Sequence, residues 1–201
     1  MYDWRRMTDA ERREILACRK AAGHPWHRPP HQDWGEAAYH VSAACFEHAP
    51  IIGNTPARME DYTRRLLDAL DDCCHHLHAW CVLPNHYHLL ADAENLKLIT
   101  AALGKLHGRT SFTWNGEDSA RGRRVWYSCE NRAIRSDRHL WATMNYVHHN
   151  PVHHGYVTRW EDWPFSSAQA FLDEVGRDEA ARVWREYPVL DYGRGWDDAE
   201  M

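Results

Sequence analysis

Two histidines one residue apart, His86 and His88, stand in the stretch WCVLPNHYHLL at residues 80–90. Side chains at i and i+2 of a strand point to one face. A strand here therefore sets two imidazoles side by side and turns Tyr87 to the opposite face. Neutral imidazole nitrogens suit divalent transition metals, and an oxygen ligand beside them lets Mg2+ or Mn2+ in. The spacing alone does not decide, because His76 and His78 repeat it. A chain with 16 histidines in 201 residues gives on the order of one such spacing by chance. The setting separates the two pairs: His86 follows an apolar run and a Pro84-Asn85 turn signal, and His88 continues into Leu89 and Leu90. A central strand that carries two imidazoles needs a reason for them.

The elements that position this pair are readable from pattern. Residues 38–47 are rich in strand formers, and residues 77–83 and 86–92 form two further strands. Between the first two, residues 59–73 place Tyr62, Leu66, Leu67 and Leu70 at helical spacing. Leu96, Ile99, Leu103 and Leu106 predict a second helix over 95–107, followed by a polar loop over 114–124. Ser136 caps a third helix, with Leu140, Trp141, Met144 and Val147 on one side, which Asn150-Pro151 ends near His149. In this reading His148 and His149 sit at the helix C-terminus, where imidazolium suits the helix dipole. A return segment follows over 157–165. The order strand, helix, strand, strand, helix suits an α+β sandwich with helices on one face of a mainly antiparallel sheet.

Either side of this body lie extensions. Residues 1–33 hold a capping box, Thr8-Asp9-Ala10-Glu11, which opens a basic helix to about Lys20; residues 34–165 form the body. Residues 166–201 offer one or two short helices and a Gly- and Asp-rich tail. Hydrophobic content of 44% and charged content of 26% exclude a disordered or fibrous chain. Neither a membrane span nor a signal peptide is present, which points to the cytoplasm. The six cysteines lack CxxC spacing, so they read as idle thiols rather than a zinc knuckle. A net charge of −5 means that a nucleic-acid partner needs a local basic patch.

WCVLPNHYHLL resembles the HUH signature (His, hydrophobic residue, His) of single-tyrosine transposases. NYVHHNPVHHGYVTRWEDWPFSSA at residues 145–168 and GRRVWYSCENRAIRSDRHLWATMNYV at residues 122–147 are similar to the REP-associated tyrosine transposases among them. The resemblance covers about residues 36–170. It implies a ferredoxin-like two-layer α+β sandwich that acts on single-stranded DNA hairpins. It also implies His86 and His88 as ligands of Mg2+ or Mn2+, and a tyrosine that attacks the DNA phosphate. The product would be a 5′-phosphotyrosine link and a free 3′-hydroxyl. A covalent link conserves the phosphodiester energy, in keeping with the lack of a GxxxxGK[ST] phosphate loop.

A phenol with a pKa of about 10 needs activation by metal or positive charge. In much of the family a tyrosine follows the tryptophan of a VW pair by three or four residues. Here those positions fall on Cys129 and Glu130, so Tyr127 is the expected nucleophile and Tyr146 the reserve. One helical turn beyond Tyr127 stands Asn131, the expected third ligand, with Glu130 as the other oxygen donor. Arg121, Arg123, Arg124, Arg132, Arg135 and Arg138, with Trp126 and Trp114 interleaved, form the run expected to track phosphates and stack bases. Two other readings keep the fold: a hairpin-binding protein without cleavage, and a metal-dependent hydrolytic nuclease. The implied partner is a single-stranded DNA hairpin, with no membrane, for a monomer or homodimer.

Overall fold

In the computed structural model, residues 8–21 and 37–189 are described. The expected irregular stretch around Pro29-Pro30 and the final tail lie outside them. Helix α1 (Asp9–Ala21) opens with the expected capping box: Thr8 N donates to Glu11 Oε2 at 2.7 Å, and Glu11 N donates to Thr8 Oγ1 at 3.3 Å.

The body is built on strands β1 (Ala37–Ala44), β2 (His76–Val82), β3 (His86–Ala93) and β4 (Glu130–Ala133), all antiparallel to their neighbours in the order β2-β3-β1-β4. Helix α2 (Pro56–Asp71) connects β1 to β2, and α3 (Leu96–Glu117) connects β3 to β4. This is the split βαβ, ferredoxin-like arrangement. Thr55 caps α2 by accepting from Arg58 N, and Pro56 presets the first helical turn. Met59, Tyr62, Leu66 and Leu70 then return to one side every three or four residues and are buried. They pack with Ile99, Leu103 and Leu106 of α3 over Tyr39, Val41 and Ala43 of β1 and Tyr87, Leu89 and Ala91 of β3.

Strand alternation sends the other set, His40 on β1 and His86, His88 and Leu90 on β3, to the opposite face. Helix α4 (Asp137–His153) lies over this face, with α5 (Ala168–Val175) and α6 (Arg177–Glu186) beside it. Met144, Tyr146 and Val147 of α4 bury Ala79, Cys81, Leu83 and Leu90 of the sheet. Residues 165–167 run along the free edge of β2: Val82 N donates to Phe165 O, and Ser167 N to Trp80 O. That covers the edge, which would otherwise offer unpaired backbone groups.

Three elements differ from their expected form. Helix α3 runs on to Glu117 through the expected polar loop, because Thr110 and Trp114 keep its buried side going. Strand β4 has only four residues, too few to show alternation in sequence; pairing with Tyr39 to Ser42 defines it. Helix α4 passes through Asn150-Pro151 and ends at His153. Proline forgoes one i−4 hydrogen bond, but Asn150 and Pro151 are both buried, and that burial holds the helix past the break. His148 is consequently mid-helix and fully buried, with its pKa lowered to about 3 by desolvation first and His149 second. A neutral imidazole replaces the expected imidazolium at a helix end.

The turn that leads into His86 is clamped. Cys45 N donates to Asn85 O at 2.7 Å, Gly53 N to Pro84 O at 2.9 Å, and Asn85 Nδ2 to His48 O at 3.2 Å. Glu47 and His48 hold left-handed φ of 59° and 52°, which is costly for residues with a Cβ. At Gly53 a Cβ would stand 2.4 Å from Pro84 Cβ, so only glycine admits this approach.

Candidate active site

His86 and His88 are 3% and 1% exposed and lie with ring centroids 5.1 Å apart, edge to face. Each Nδ1 has a partner behind it: Asn85 Oδ1 at 2.7 Å from His86, and His40 Nε2 at 3.1 Å from His88. Because Asn85 Nδ2 donates to His48 O, its oxygen faces His86, and the hydrogen sits on His86 Nδ1. Neutral His86 then keeps a lone pair on Nε2, which faces Asn150 Oδ1 at 3.0 Å. With the amide oxygen turned to it, this pair can hold a shared proton or a cation; with the amide turned over, Nδ2 donates to His86 Nε2.

Asn150 comes from α4, and so does Tyr146 one turn earlier. The Tyr146 ring, 5% exposed, meets His88 edge-on at 5.1 Å and His40 at 5.9 Å. Residues i and i+4 share a helix face, so Tyr146 and Asn150 reach the same patch of sheet. His154 adds a ring 4.9 Å from that of His86. Among the described residues no three His, Cys, Asp or Glu side chains are grouped to hold a metal. The Asn150 amide oxygen is a further oxygen donor beside His86.

No protein-family model matches the chain. A REP-associated tyrosine transposase of Haemophilus influenzae is 31% identical to it, over an alignment that covers 56% of this chain and 72% of that protein. The chain belongs to the REP-associated tyrosine transposase family. A solved REP-associated tyrosine transposase, bound to a REP hairpin, shares its fold: the TM-score is 0.56 at 16% identity, over 71% of this chain and 83% of that one. No helix among the described residues is long and apolar enough to cross a membrane.

Tyr127, the expected nucleophile, is opposite Ala44, itself the direct partner of His86, and so lies two strand spacings from the histidine pair. Tyr127 is in an extended segment, where its N–H donates to Ala44 O at 2.9 Å. Its ring meets Phe46 at 5.1 Å, His48 at 6.2 Å and the Arg124 guanidinium at 5.2 Å, not the paired histidines. Asn131 does not share a helix face with it, because residues 130–133 form β4. Asn131 pairs with Val41, whose side chain faces α2 and α3. Directly paired residues share a face, so Asn131 is on the side of the sheet away from His86 and His88. Glu130 is on the histidine side, opposite Ser42, which is itself opposite His88. Two strand spacings put it about 10 Å from His88. Among the described residues Tyr146, the reserve, is the tyrosine in ring contact with His88 and His40. Asn-Pro signals a helix stop and so masks Asn150, whereas its i+4 spacing from Tyr146 puts both on one face of α4.

The basic run also divides. Trp126 is a core residue, stacked on His107 at 4.2 Å and 10°, and its Nε1 donates to Thr110 Oγ1. Trp114 is buried with it. Arg123 is bound to Asp118 at 2.7 Å and to Asn115, while Arg121 donates to Phe112 O and covers that ring. Arg124, Arg132, Arg135 and Arg138 are exposed. Arg132 is opposite His40 and so shares the histidine face of the sheet. Burial, then Arg132 and Arg135, lower the pKa of His139 at the start of α4. Arg132 and Arg135 thus bring positive charge to the β4 side of the site, while Arg124 lies over Phe46 and Tyr127.

Proposed function

We propose that this protein binds a single-stranded DNA hairpin and cuts and rejoins the strand, with Tyr146 as nucleophile and His86, His88 and Asn150 as the ligands of Mg2+ or Mn2+. The observation that carries the reading is the convergence of His86 Nε2 and Asn150 Oδ1 at 3.0 Å beside the Tyr146–His88 contact. Ligands at about 2.1 Å and right angles on an octahedral cation stand about 3.0 Å apart, so the spacing of His86 Nε2 and Asn150 Oδ1 fits such an ion. When bound, the ion polarises the scissile phosphate and favours the phenolate.

The protein's own side chains supply the rest. Tyr146 Oη attacks the phosphorus as its proton passes to solvent water, and the bond from phosphorus to the 3′ oxygen breaks. The 3′ oxygen takes up a proton and leaves as a hydroxyl, and the phosphate stays joined to Tyr146 and to the 5′ oxygen of the next nucleotide. Burial of the Tyr146 ring against His40 and His88 fixes its approach, since α4 is held to the sheet by Met144 and Val147. Attack by a second 3′-hydroxyl on the same phosphorus reverses the step and joins a new strand. Arg124, Arg132, Arg135 and Arg138 give the DNA backbone a positive rim to follow.

The test is a denaturing gel of protein and labelled REP-like hairpin with Mg2+ or Mn2+. Wild type and Tyr127→Phe are expected to give a covalent protein–DNA band, and Tyr146→Phe none at unchanged hairpin affinity. A band that survives in Tyr146→Phe overturns the assignment of the nucleophile. Binding without any band leaves a non-cleaving hairpin binder, and strand cutting without a band leaves a hydrolytic nuclease.

A further inference from the structure

His86 and His88 lean on unlike partners. An amide oxygen stands behind His86 Nδ1, and a second imidazole stands behind His88 Nδ1. His40 is on β1, diagonal to His88 across the strand pair, because Ser42 is the direct partner of His88 and Leu90 that of His40. Long and aromatic side chains reach across such a diagonal. The two rings stack at 5.2 Å and 27°, and His40 is 3% exposed.

We propose that His40 is a positioning residue: its Nε2 accepts the Nδ1 hydrogen of His88 and keeps the His88 Nε2 lone pair turned to the cation position. The inference rests on the metal reading above. The contact of His40 Nε2 with His88 Nδ1 at 3.1 Å holds one hydrogen. If His40 donates it, His88 Nδ1 is the acceptor and its Nε2 carries a hydrogen, which blocks coordination. If His88 donates it, Nε2 is open, and His40 carries its own hydrogen on Nδ1. Only the second arrangement gives His88 the tautomer that Asn85 gives His86. An amide oxygen imposes that tautomer unconditionally, whereas an imidazole does so only in one of its own two tautomers. His40 therefore controls whether the second histidine is a ligand at all.

Two measurements test this. The first is nitrogen-15 NMR of the imidazoles in the metal-free protein at mildly alkaline pH. Wild type is expected to show His88 with its hydrogen on Nδ1, and His40→Ala to show it shifted to Nε2. The second is a titration with Mn2+ alone, read by electron paramagnetic resonance. Partners that orient metal ligands are worth about 10- to 100-fold in affinity, so His40→Ala is expected to bind Mn2+ weaker by that factor. His40→Gln, whose Oε1 accepts in place of the imidazole, is expected to restore both the tautomer and most of the affinity. Wild-type His88 with its hydrogen on Nε2 overturns the proposal, as does His40→Ala with unchanged tautomer and Mn2+ affinity. Should His40→Ala fail to fold, the wild-type spectrum and His40→Gln still decide. Wild type that binds no Mn2+ at a site lost in His86→Ala sinks the metal reading instead, and the tautomer still judges His40.

Discussion

Substitution of Gly53 by alanine tests how far the site depends on its clamp. The added Cβ would meet Pro84 Cβ at 2.4 Å, Pro84 Cα at 2.8 Å and Cγ at 3.1 Å. Ordinary contact is 3.4–4 Å, so the two segments must part by about 1 Å. Neither side is a flexible chain end: one is backbone and the other a proline ring. The bond from Gly53 N to Pro84 O, 2.9 Å in length, does not survive such a shift. Its loss costs about 0.5–1.5 kcal/mol, and the overpacking about 1–3 kcal/mol, which gives roughly 2–4 kcal/mol in all. Asn85 and His86 follow directly in the chain, and a misplacement of about 1 Å in an active site can cost about 100-fold in rate. Urea denaturation of Gly53→Ala is expected to show that loss of stability, and the covalent-adduct assay a loss of rate larger than the stability change explains. Gly104→Ala is the control. It is exposed on α3 with nothing within 4 Å of its added Cβ, so it should stabilise by about 0.5–1 kcal/mol. Stability of Gly53→Ala within about 0.5 kcal/mol of wild type would refute the reasoning.

Two further outcomes follow from the core. Desolvation lowers the pKa of His107 to about 4, against about 6.5 unfolded. The unfolded chain then binds the extra proton first, so this residue's share of stability is complete above pH 6.5 and lost as pH falls toward 4. At about 1.4 kcal/mol per pH unit the loss approaches roughly 3 kcal/mol, and melts between pH 7 and 4.5 of wild type and His107→Phe should differ in slope; parallel curves would contradict it. Trp126→Ala should cost about 3–5 kcal/mol, while Trp126→Phe, measured by hairpin binding, should keep DNA affinity. A large loss of affinity in the folded Phe variant would return Trp126 to the DNA surface.

The sheet and its two connecting helices were legible because periodicity reports burial. Tyr62, Leu66 and Leu70 return every three or four residues, and His86 to Leu90 are a short apolar strand after a turn. His86 and His88 could be picked out for the same reason. The partner residues were legible only as rules awaiting the right anchor. The i+4 relation holds only on a helix: Tyr127 lies in extended chain, so Asn131 does not share its face, whereas Tyr146 and Asn150 both lie on α4. Local preference before proline argued for a stop at Asn150, but burial against the sheet overrode it. His40 and Asn85 had no signal in sequence, since a diagonal cross-strand contact and an amide turned by a distant carbonyl depend on register alone. Glu130 to Ala133 were invisible for a related reason: four mixed residues become a strand only when β1 is there to pair with them.

Helix α4 brings Tyr146 and Asn150 to the histidines from a part of the chain made much later. Synthesis proceeds at about 5–20 residues per second, so roughly seconds separate the emergence of His88 from that of Tyr146. During that interval His86 and His88 stand on a sheet face that still lacks its α4 cover. Tyr146 and Asn150 arrive together, when α4 docks. A chain cut off before α4 keeps the paired histidines but has neither of those side chains beside them.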